Sequence, residues 1–443
     1  MGKREIRILL IGQCTLHWGR MEFGNVGNYY IIEPFVRELH RVFPKTDIVT
    51  TFQMSAEFCG RENVQVLPME LYYGWKDSDL EIALEELGIA EVFNTTGYLP
   101  KNTGYIEEVM KSDLVIDFSG DIWGDNANFL GKDRFLVGLC KDRVAQLLGK
   151  PTVMLAGSPG PFEDVKTLDF AKKVFKNFDI VTNREPLSLD LLKKLNFDIS
   201  RVKSLSCPSF LFESFDEVES AEIRKRNNLP GKDETIVGFT VCGWNFQEGP
   251  YDKWPREDED YKPFVDAIEF IVKNLKLKVC LFSHSNGFVP PPEEFELIHG
   301  RDYPFLVQLK KILKSRGVNE EVFIIENLQT PKEIKSLIGT FDMVVSGRLH
   351  GSVAGLSQVI PTVMIDYGHE PKAHKIRGFA KLLEMDNYIA DPNVPGDISN
   401  KIQSCWKERS EVKKVLKRKL PKVEEYAREN FNLLDKLIER ESL

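Results

Sequence analysis

The sequence predicts an α/β protein of two domains, each a parallel sheet covered by helices on both faces. Three observations predict this fold. The chain has 443 residues, enough for two or three domains that each bury a core. Short apolar runs alternate with amphipathic stretches along the chain. These runs are rich in β-branched residues and lack polar alternation, as in strands buried on both faces. Together they indicate two Rossmann-like domains.

Nine apolar runs are predicted strands, and amphipathic stretches separate them. The strands are Ile6–Ile11, Leu114–Phe118, Thr152–Leu155, Ile180–Thr182, Ile236–Val241, Val279–Ser283, Val322–Ile325, Met343–Ser346 and Thr362–Ile365. The predicted helices include Tyr29–Val42, Leu187–Leu195, Pro263–Leu275 and Pro331–Ile338. Because strands and helices alternate, the strands of each sheet should be parallel.

The alternation breaks once, in a charged stretch over 216–234 that contains Pro230 followed by glycine. We therefore predict an N-terminal domain over residues 1–230, a second domain over residues 231–405 and a charged helical tail over residues 406–443. The tail carries a basic cluster before Pro421, formed by Lys413, Lys414, Lys417, Arg418 and Lys419. This cluster is either the solvated face of a charged helix or a peripheral contact with anionic lipid.

Composition excludes several classes of protein. With 42% hydrophobic and 28% charged residues, the chain is neither disordered, collagen-like nor a disulfide scaffold. Its net charge of −8 argues against a nucleic-acid partner, so any anion site must be local. The seven cysteines form no C-x-x-C pair, and no signal-peptide or membrane-spanning pattern occurs. We expect a cytoplasmic protein with reduced thiols.

The densest group of candidate site residues lies in the segment SGRLHG, residues 346–351. A strand ends here and a helix begins, at the sheet edge where open α/β folds bind ligands. A helix N-terminus favours phosphate or carboxylate, and Gly347 and Gly351 would let the backbone approach a ligand closely. Two interpretations remain open. His350 caps the helix and Arg348 forms an interdomain ion pair, or both contact an anion.

A second group of cations follows the next strand, at Lys372, His374, Lys375 and Arg377. Alone, such a cluster is typical of a solvated loop. Two cationic loops after consecutive strands of an acidic protein favour an anion pocket.

Four segments resemble the polysaccharide pyruvyl transferase family. The most specific is SGRLHG with the following IPTVMI strand and the later HKIRGF. Residues 24–28 (GNVGN) look like the family's N-terminal Gly-Asn-x-Gly turn, and residues 157–162 (GSPGPF) are similar to its Gly-x-x-x-Gly-Pro-Phe loop. Residues 182–188 resemble the stretch where an Arg-Glu/Asp pair opens a helix. The resemblance spans about residues 6–385.

The resemblance implies a GT-B-like fold with a cleft between its domains. It also implies transfer of pyruvate from phosphoenolpyruvate to two sugar hydroxyls as a cyclic ketal, with release of phosphate and no metal or other cofactor. His350 would be the catalytic donor-site histidine, and Arg184 and Lys375 would bind the donor's anionic groups, with Arg348 and the two glycines beside them. A histidine, with a pKa of about 6.5, suits either proton transfer. The partners would be this donor and a sugar or glycan acceptor.

The first domain departs from the family pattern at three places. Asn28 stands where Asp is frequent, residues 117–123 replace a glycine-rich turn, and Cys207 replaces an Asp. Candidates for acceptor or cleft contacts are Asn25, Asn28, Asp121 and His284. Asp121 is either a base for the acceptor hydroxyl or a turn residue, and His284 is either a site contact or a hydrogen-bonded loop residue.

Two other functions stay open. A nucleotide-sugar glycosyltransferase of the same fold would need an acidic residue that binds the ribose, for which Glu326 is a candidate. A non-catalytic relative would bind a ligand and release no phosphate. The sequence contains neither a P-loop nor an H-E-x-x-H or Cys/His cluster, so it predicts no metal site.

Overall fold

A computed structural model describes residues 5–13, 24–120, 122–231, 233–249, 253–289, 293–294, 296–367 and 373–441. The chain divides into two units. The first unit comprises Met1–Met21, Glu33–Pro208 and Glu425–Leu443, and the second comprises Glu22–Ile32 and Ser209–Glu424. Each unit has its own parallel sheet and its own buried core.

The sheet of the first unit has seven parallel strands in the order β3-β2-β1-β4-β5-β6-β7. The strands are β1 (Ile6–Ile11), β2 (Thr46–Thr50), β3 (Val64–Val66), β4 (Leu114–Asp117), β5 (Thr152–Gly157), β6 (Ile180–Asn183) and β7 (Val202–Ser204). The helices of this part of the chain are α1 (Val26–Val42), α2 (Ala56–Glu62), α3 (Asp79–Thr96), α4 (Gly104–Lys111), α5 (Arg134–Leu147), α6 (Val165–Lys176) and α7 (Leu187–Lys194). The first seven residues of α1 belong to the second unit.

The sheet of the second unit has six parallel strands in the order β12-β9-β8-β13-β14-β15. They are β8 (Ile236–Thr240), β9 (Lys278–Leu281), β12 (Val322–Ile324), β13 (Met343–Ser346), β14 (Thr362–Ile365) and β15 (Ile389–Ala390), and a separate hairpin pairs β10 (Asn286–Phe288) with β11 (Leu297–His299). The helices are α8 (Glu217–Arg226), α9 (Lys262–Lys273), α10 (Tyr303–Ser315), α11 (Pro331–Gly339), α12 (Leu349–Leu356), α13 (Ala373–Leu383), α14 (Asp397–Lys407) and α15 (Arg409–Glu441).

Both sheets have the strand order of a doubly wound fold. In the first unit, β1 lies in the interior of the sheet, and the strand order reverses between β1 and β4. In the second unit, the order reverses in the same way between β8 and β13. The prediction of two Rossmann-like units with parallel, helix-covered sheets is therefore confirmed. Ligands of such sheets bind at the carboxyl ends of the strands beside the reversal.

The units differ from the predicted domains at the boundary near Pro230. Residues 209–230 belong to the second unit because α8 buries Ile223 in that unit's apolar core. Arg224 of the same helix donates to the carbonyl oxygens of Pro230, Gly231 and Thr340. The charges that indicated a linker are thus the exposed face of a packed helix.

The predicted tail is also divided. Helix α15 belongs to the second unit up to Glu424 and to the first unit from Glu425. In the first unit, the buried amide of Asn430 accepts a hydrogen bond from the Thr182 hydroxyl (2.6 Å) and donates one to the Ser206 carbonyl oxygen (3.0 Å). The end of the helix is therefore part of a folded core.

The basic cluster of α15 is partly neutralised by carboxylates. Arg418 and Lys419 both pair with Glu384, and Lys414 pairs with Glu411 at 3.0 Å. Among the described residues, no helix combines the length and the apolar content needed to cross a bilayer. Lipid contact by the cluster stays a prediction.

Two carboxyl groups of the first unit lie buried together, one at the end of β4 and one on α5. Asp117, at the end of β4, accepts hydrogen bonds from the amide and the hydroxyl of Ser119. Asp142 of α5 accepts one from the Trp123 indole (3.2 Å). Burial raises the pKa of both groups, and the charge of Asp117 raises the pKa of Asp142 further. Because burial disfavours two adjacent negative charges, this pair holds a proton well above the usual aspartate range.

This raised pKa makes stability fall with rising pH. The folded state binds more protons than the unfolded state above about pH 4, the ordinary carboxyl pKa, so the free energy of unfolding should decrease as the pH rises further. We expect Asp142→Asn to remove much of this slope and to stabilise the protein at about pH 8 by about 1–3 kcal/mol. Melting temperature measured against pH tests this. Asp169→Asn, on an exposed position of α6, should leave the profile unchanged.

Candidate active site

The candidate site in the second unit starts where β13 ends beside β8. The amide of Gly347 donates to the carbonyl oxygen of Thr240, the last residue of β8 (2.8 Å). The hydroxyl of Ser346 accepts from the Arg348 amide (3.2 Å) and donates to the Arg348 carbonyl oxygen (2.8 Å). These bonds close the turn, and α12 begins at the next residue. A helix N-terminus therefore lies at the sheet edge, as predicted.

The two glycines of this segment are required by packing inside the protein. A Cβ on Gly347 would overlap the side-chain oxygen of Asn245, and a Cβ on Gly351 would lie 2.6 Å from the Ser346 hydroxyl oxygen. Asn245 is held there because its oxygen accepts from the Cys242 amide (2.8 Å). The absence of side chains is thus explained without a ligand, and donor binding by these glycines stays a prediction.

His350 lies in the first turn of α12 and is 9% exposed. Its imidazole lies against the first turn of α1, where a Cβ on Gly27 would overlap the ring. The Phe379 ring of α13 meets the imidazole edge-on, with centroids 6.3 Å apart. Gly27 is itself fixed because its amide donates to the side chain of Asn25 (3.0 Å). The beginnings of two helices, α1 and α12, therefore meet at His350.

Asn25, predicted as an acceptor contact, has a structural role in this geometry. Its side chain closes the first turn of α1, and its backbone bridges to Ser285. Asn28, three residues later, is half-buried in the same turn of the helix. Contact of either residue with an acceptor stays a prediction.

Arg348 forms an ion pair inside the second unit. Its guanidinium donates to both carboxylate oxygens of Asp302, with Nε at 3.0 and 3.1 Å. Burial opposes the charged form, but the Asp302 carboxylate outweighs it and raises the pKa of Arg348 above its usual value. The ion pair was foreseen as an interdomain contact. Instead, both residues belong to the second unit, and Asp302 also accepts from the His284 amide (3.2 Å).

His284 lies after β9, at the same sheet edge, and is completely buried. Its ring meets the Tyr30 ring edge-on, with centroids 5.3 Å apart, and its Cδ2 lies 3.5 Å from the position a Cβ would take on Gly351. Burial, then the charges of Arg348 and His350, lower the pKa of His284 well below its usual value. The predicted acceptor contact is therefore a neighbour of the predicted donor residues.

Lys375 is buried, with 1% exposure, in the first turn of α13. It lies four residues before Phe379, so both residues project from the same face of the helix, the face that meets His350. The neighbouring Arg377 pairs with Asp366, just after β14, at 2.8 Å. Lys372 lies outside the described residues.

Arg184 follows β6 in the first unit and is 1% exposed. Its Nε donates to the Ser158 hydroxyl (2.9 Å), and its amide donates to the Gly157 carbonyl oxygen (3.0 Å). The adjacent Glu185 caps α7 by accepting from the amides of Leu187 and Ser188. Arg184 is thus a fixed, buried cation at the carboxyl edge of its own sheet, as predicted. Asp121 lies outside the described residues.

Sequence reasoning missed Asp302, Gly27 and Tyr30 as parts of this site. Asp302 precedes a proline-containing helix start, which gives it the pattern of a cap, and its partner Arg348 is 46 residues away. Gly27 was noted only as part of a turn. No local pattern pairs these residues with α12.

The polysaccharide pyruvyl transferase family model matches residues 25–369, more than three quarters of the chain. The chain belongs to this family. The match includes Gly27, Arg184, Arg348 and His350 and ends shortly before α13. The family resemblance stated from the SGRLHG segment is confirmed, and the protein is a glycan-modifying transferase.

Individual relatives agree with this family. The amylovoran biosynthesis protein AmsJ of Erwinia amylovora is 21% identical over 432 residues, which cover 93% of this chain and 95% of AmsJ. Among solved structures, HepE of Anabaena in complex with UDP and glucose has a TM-score of 0.56 at 12% identity, covering 99% of this chain and 100% of HepE. A glycosyltransferase of Rickettsia africae has a TM-score of 0.59 at 11% identity, covering 98% and 99%. These likenesses show a GT-B-like fold.

Within the described ranges, no group of three or more histidine, cysteine, aspartate or glutamate side chains comes together as metal ligands. None of the six cysteines in those ranges forms a disulfide.

Proposed function

We propose that this transferase moves a pyruvyl group from phosphoenolpyruvate to sugar hydroxyls of a glycan or glycan precursor, forming a ketal and releasing phosphate. One observation carries the proposal. The first turns of α1 and α12 meet at the imidazole of His350, and Gly27 leaves the space that the ring occupies. Family membership supports this pyruvyl donor over other activated groups.

The environment of His350 suits an anionic donor. Phosphoenolpyruvate carries a phosphate and a carboxylate, and amide groups at a helix N-terminus stabilise such anions. Lys375 adds a buried positive charge in the same unit. Arg348 adds a second cation, which is 16% exposed and paired with Asp302. Arg184 would supply a further cation from the first unit.

His350 would supply the proton transfers. Addition of a proton to the vinyl CH₂ carbon makes the adjacent carbon electrophilic, and a sugar hydroxyl attacks that carbon and loses its proton. A second hydroxyl then displaces phosphate and loses its proton. Phosphate leaves with the C–O bond electrons and takes up that proton, and the ketal closes. A histidine near neutral pH can donate the first proton or accept the second, and such catalysis contributes about 10²–10⁴-fold.

Thermal melting with phosphoenolpyruvate, UDP and GDP tests the donor. A ligand at about 100 times its Kd adds about 2.7 kcal/mol, a shift of a few degrees. We expect a shift with phosphoenolpyruvate that Arg184→Ala abolishes. Arg316→Ala, at an exposed ion pair with Glu269, should keep the shift.

A shift with UDP or GDP alone would contradict the proposal and indicate a nucleotide-sugar glycosyltransferase. Binding of phosphoenolpyruvate without phosphate release across a panel of glycan acceptors would instead indicate a non-catalytic relative. Because Arg184 is buried, the melting temperature of its variant without ligand must be compared with the wild-type value. Arg184→Lys, which keeps the charge and loses the planar fork, provides a second variant.

A further inference from the structure

The imidazole of His284 is completely buried inside the second unit. Its exposed fraction is 0%, and neither Nδ1 nor Nε2 has a partner among the described residues. Leaving one buried polar atom unpaired costs about 1–3 kcal/mol, and such atoms are rare in native proteins. A phenylalanine or leucine would fill this position without that cost. The imidazole therefore needs another explanation.

The groups around His284 are those of the donor site. Arg348, which directly precedes α12, and His350 in the first turn of α12 are close enough for their charges to lower the pKa of His284. Tyr30 of α1 meets its ring edge-on, and the carboxylate of Asp302, which precedes α10, accepts from its backbone amide. The ring thus lies beside the first turns of α1 and α12, the two helix starts that meet at His350.

We propose that His284 is a second imidazole of the donor site, which takes up one proton from solvent and hydrogen-bonds to the anionic donor when the donor binds. This inference rests on the proposed function only for the identity of the donor. The presence of an anion site does not depend on that function.

The charges around His284 explain why proton uptake would accompany anion binding. Without a ligand, burial keeps His284 neutral, and Arg348 and His350 disfavour a further positive charge. The one nearby carboxylate described here, Asp302, is already paired with Arg348. The Tyr30 hydroxyl, whose pKa burial raises, stays neutral. A bound phosphate or carboxylate supplies the missing negative charge and raises the pKa of the ring.

The two ring nitrogens give this histidine a defined role. The imidazolium ring donates a hydrogen bond from each of its two nitrogens, whereas the neutral ring donates from only one. The protonated ring can therefore bind an anionic oxygen through either nitrogen. The proton taken up with the donor returns to solvent or leaves on phosphate, so the number of protons balances over the cycle. His284 is therefore assigned to binding and charge balance, and His350 keeps the proton transfers of the reaction.

Isothermal titration in two buffers of different ionisation enthalpy measures the protons taken up on binding. Phosphoenolpyruvate and inorganic phosphate are titrated separately at about pH 7.5, about one unit above the ordinary histidine pKa. Wild-type protein should take up between about half and one proton per anion bound. His284→Gln and His284→Phe should lose this uptake and bind about 10-fold or more weakly.

Melting temperature separates this role from a structural one. His284→Phe removes two unpaired buried nitrogens, so its melting temperature should equal or exceed that of the wild type. His299→Gln is the matched control, because burial also lowers the pKa of His299, which lies in β11 stacked on Tyr303. That variant should keep the proton uptake and the affinity.

Three results would overturn the inference. Unchanged proton uptake in both His284 variants assigns the proton to another group. If the wild type binds phosphoenolpyruvate without taking up a proton, donor binding is not coupled to protonation of His284, and the proposed function is unaffected. Failure of the wild type to bind either anion overturns both proposals, whereas phosphate binding with uptake but no phosphoenolpyruvate binding overturns only the proposed function.

Discussion

His350→Gln should reduce phosphate release from phosphoenolpyruvate by about 10²–10⁴-fold and leave the fold intact. Glutamine keeps hydrogen-bonding capacity and similar bulk, but it cannot carry a proton near neutral pH. The ring contacts Gly27 and Phe379 without filling an apolar core, so the melting temperature should change little. Activity of the variant above a tenth of the wild-type value would remove His350 from the proton transfers.

Gly27→Ala tests the same imidazole without changing it. The added Cβ would overlap the ring, so His350 must move or α1 must shift. Because catalytic groups act only in a narrow geometry, we expect about a 10²-fold loss of activity. Gly88→Ala, on an exposed face of α3 where a Cβ meets nothing within 4 Å, should be fully active. Equal activity of the two variants would show that the position of His350 is not critical.

Asp302→Ala should lower the free energy of unfolding by about 3–5 kcal/mol, because it leaves the largely buried Arg348 guanidinium without its completely buried carboxylate partner. The His284 amide would also lose its acceptor. Chemical denaturation followed by a spectroscopic signal reports this change, and a loss below about 1 kcal/mol would contradict a buried ion pair. Glu411→Ala, at a pair with Lys414 that is exposed on both sides, should stay within that limit.

The double variant Asp302→Leu with Arg348→Met separates stability from donor binding. Apolar replacement of both partners removes the uncompensated charge and should recover most of the lost stability. If Arg348 contacts the donor, as the sequence predicts, the double variant will recover its stability but will not bind phosphoenolpyruvate. Recovery of binding together with stability would make Arg348 a positioning residue for α12.

Most buried strands were predictable, but the interior strand β2 (Thr46–Thr50) and the short edge strands β3, β7 and β15 were not. The strands Ile6–Ile11, Met343–Ser346 and Thr362–Ile365 agree residue for residue with the sequence prediction, since each is a dense apolar run. Strands β3 and β15 have only three and two residues and were missed. At an edge, pairing on one side and partial exposure allow a sequence without an apolar run. Their existence depends on the neighbouring strand.

The site was predictable where one segment carries it and unpredictable where distant segments meet. His350 and Arg348 were identified because a strand end, glycines and a helix start follow one another in SGRLHG. The pairing of Arg348 with Asp302, and of His350 with Gly27, depends on tertiary packing across many residues. The charged stretch before Pro230 failed as a boundary signal for the same reason: a helix can be charged on one face and buried on the other.

Neither unit is a continuous piece of the chain, and this limits how the protein can be dissected. The second unit needs residues 22–32, which place Gly27 and Tyr30 in it, and the first unit needs the end of α15 with Asn430. A fragment cut at the 208/209 junction would lack part of its own interior on either side. Ribosomal synthesis meets the same constraint, since the first unit stays incomplete until its last helix emerges. Independent expression would require permuted fragments that rejoin these pieces.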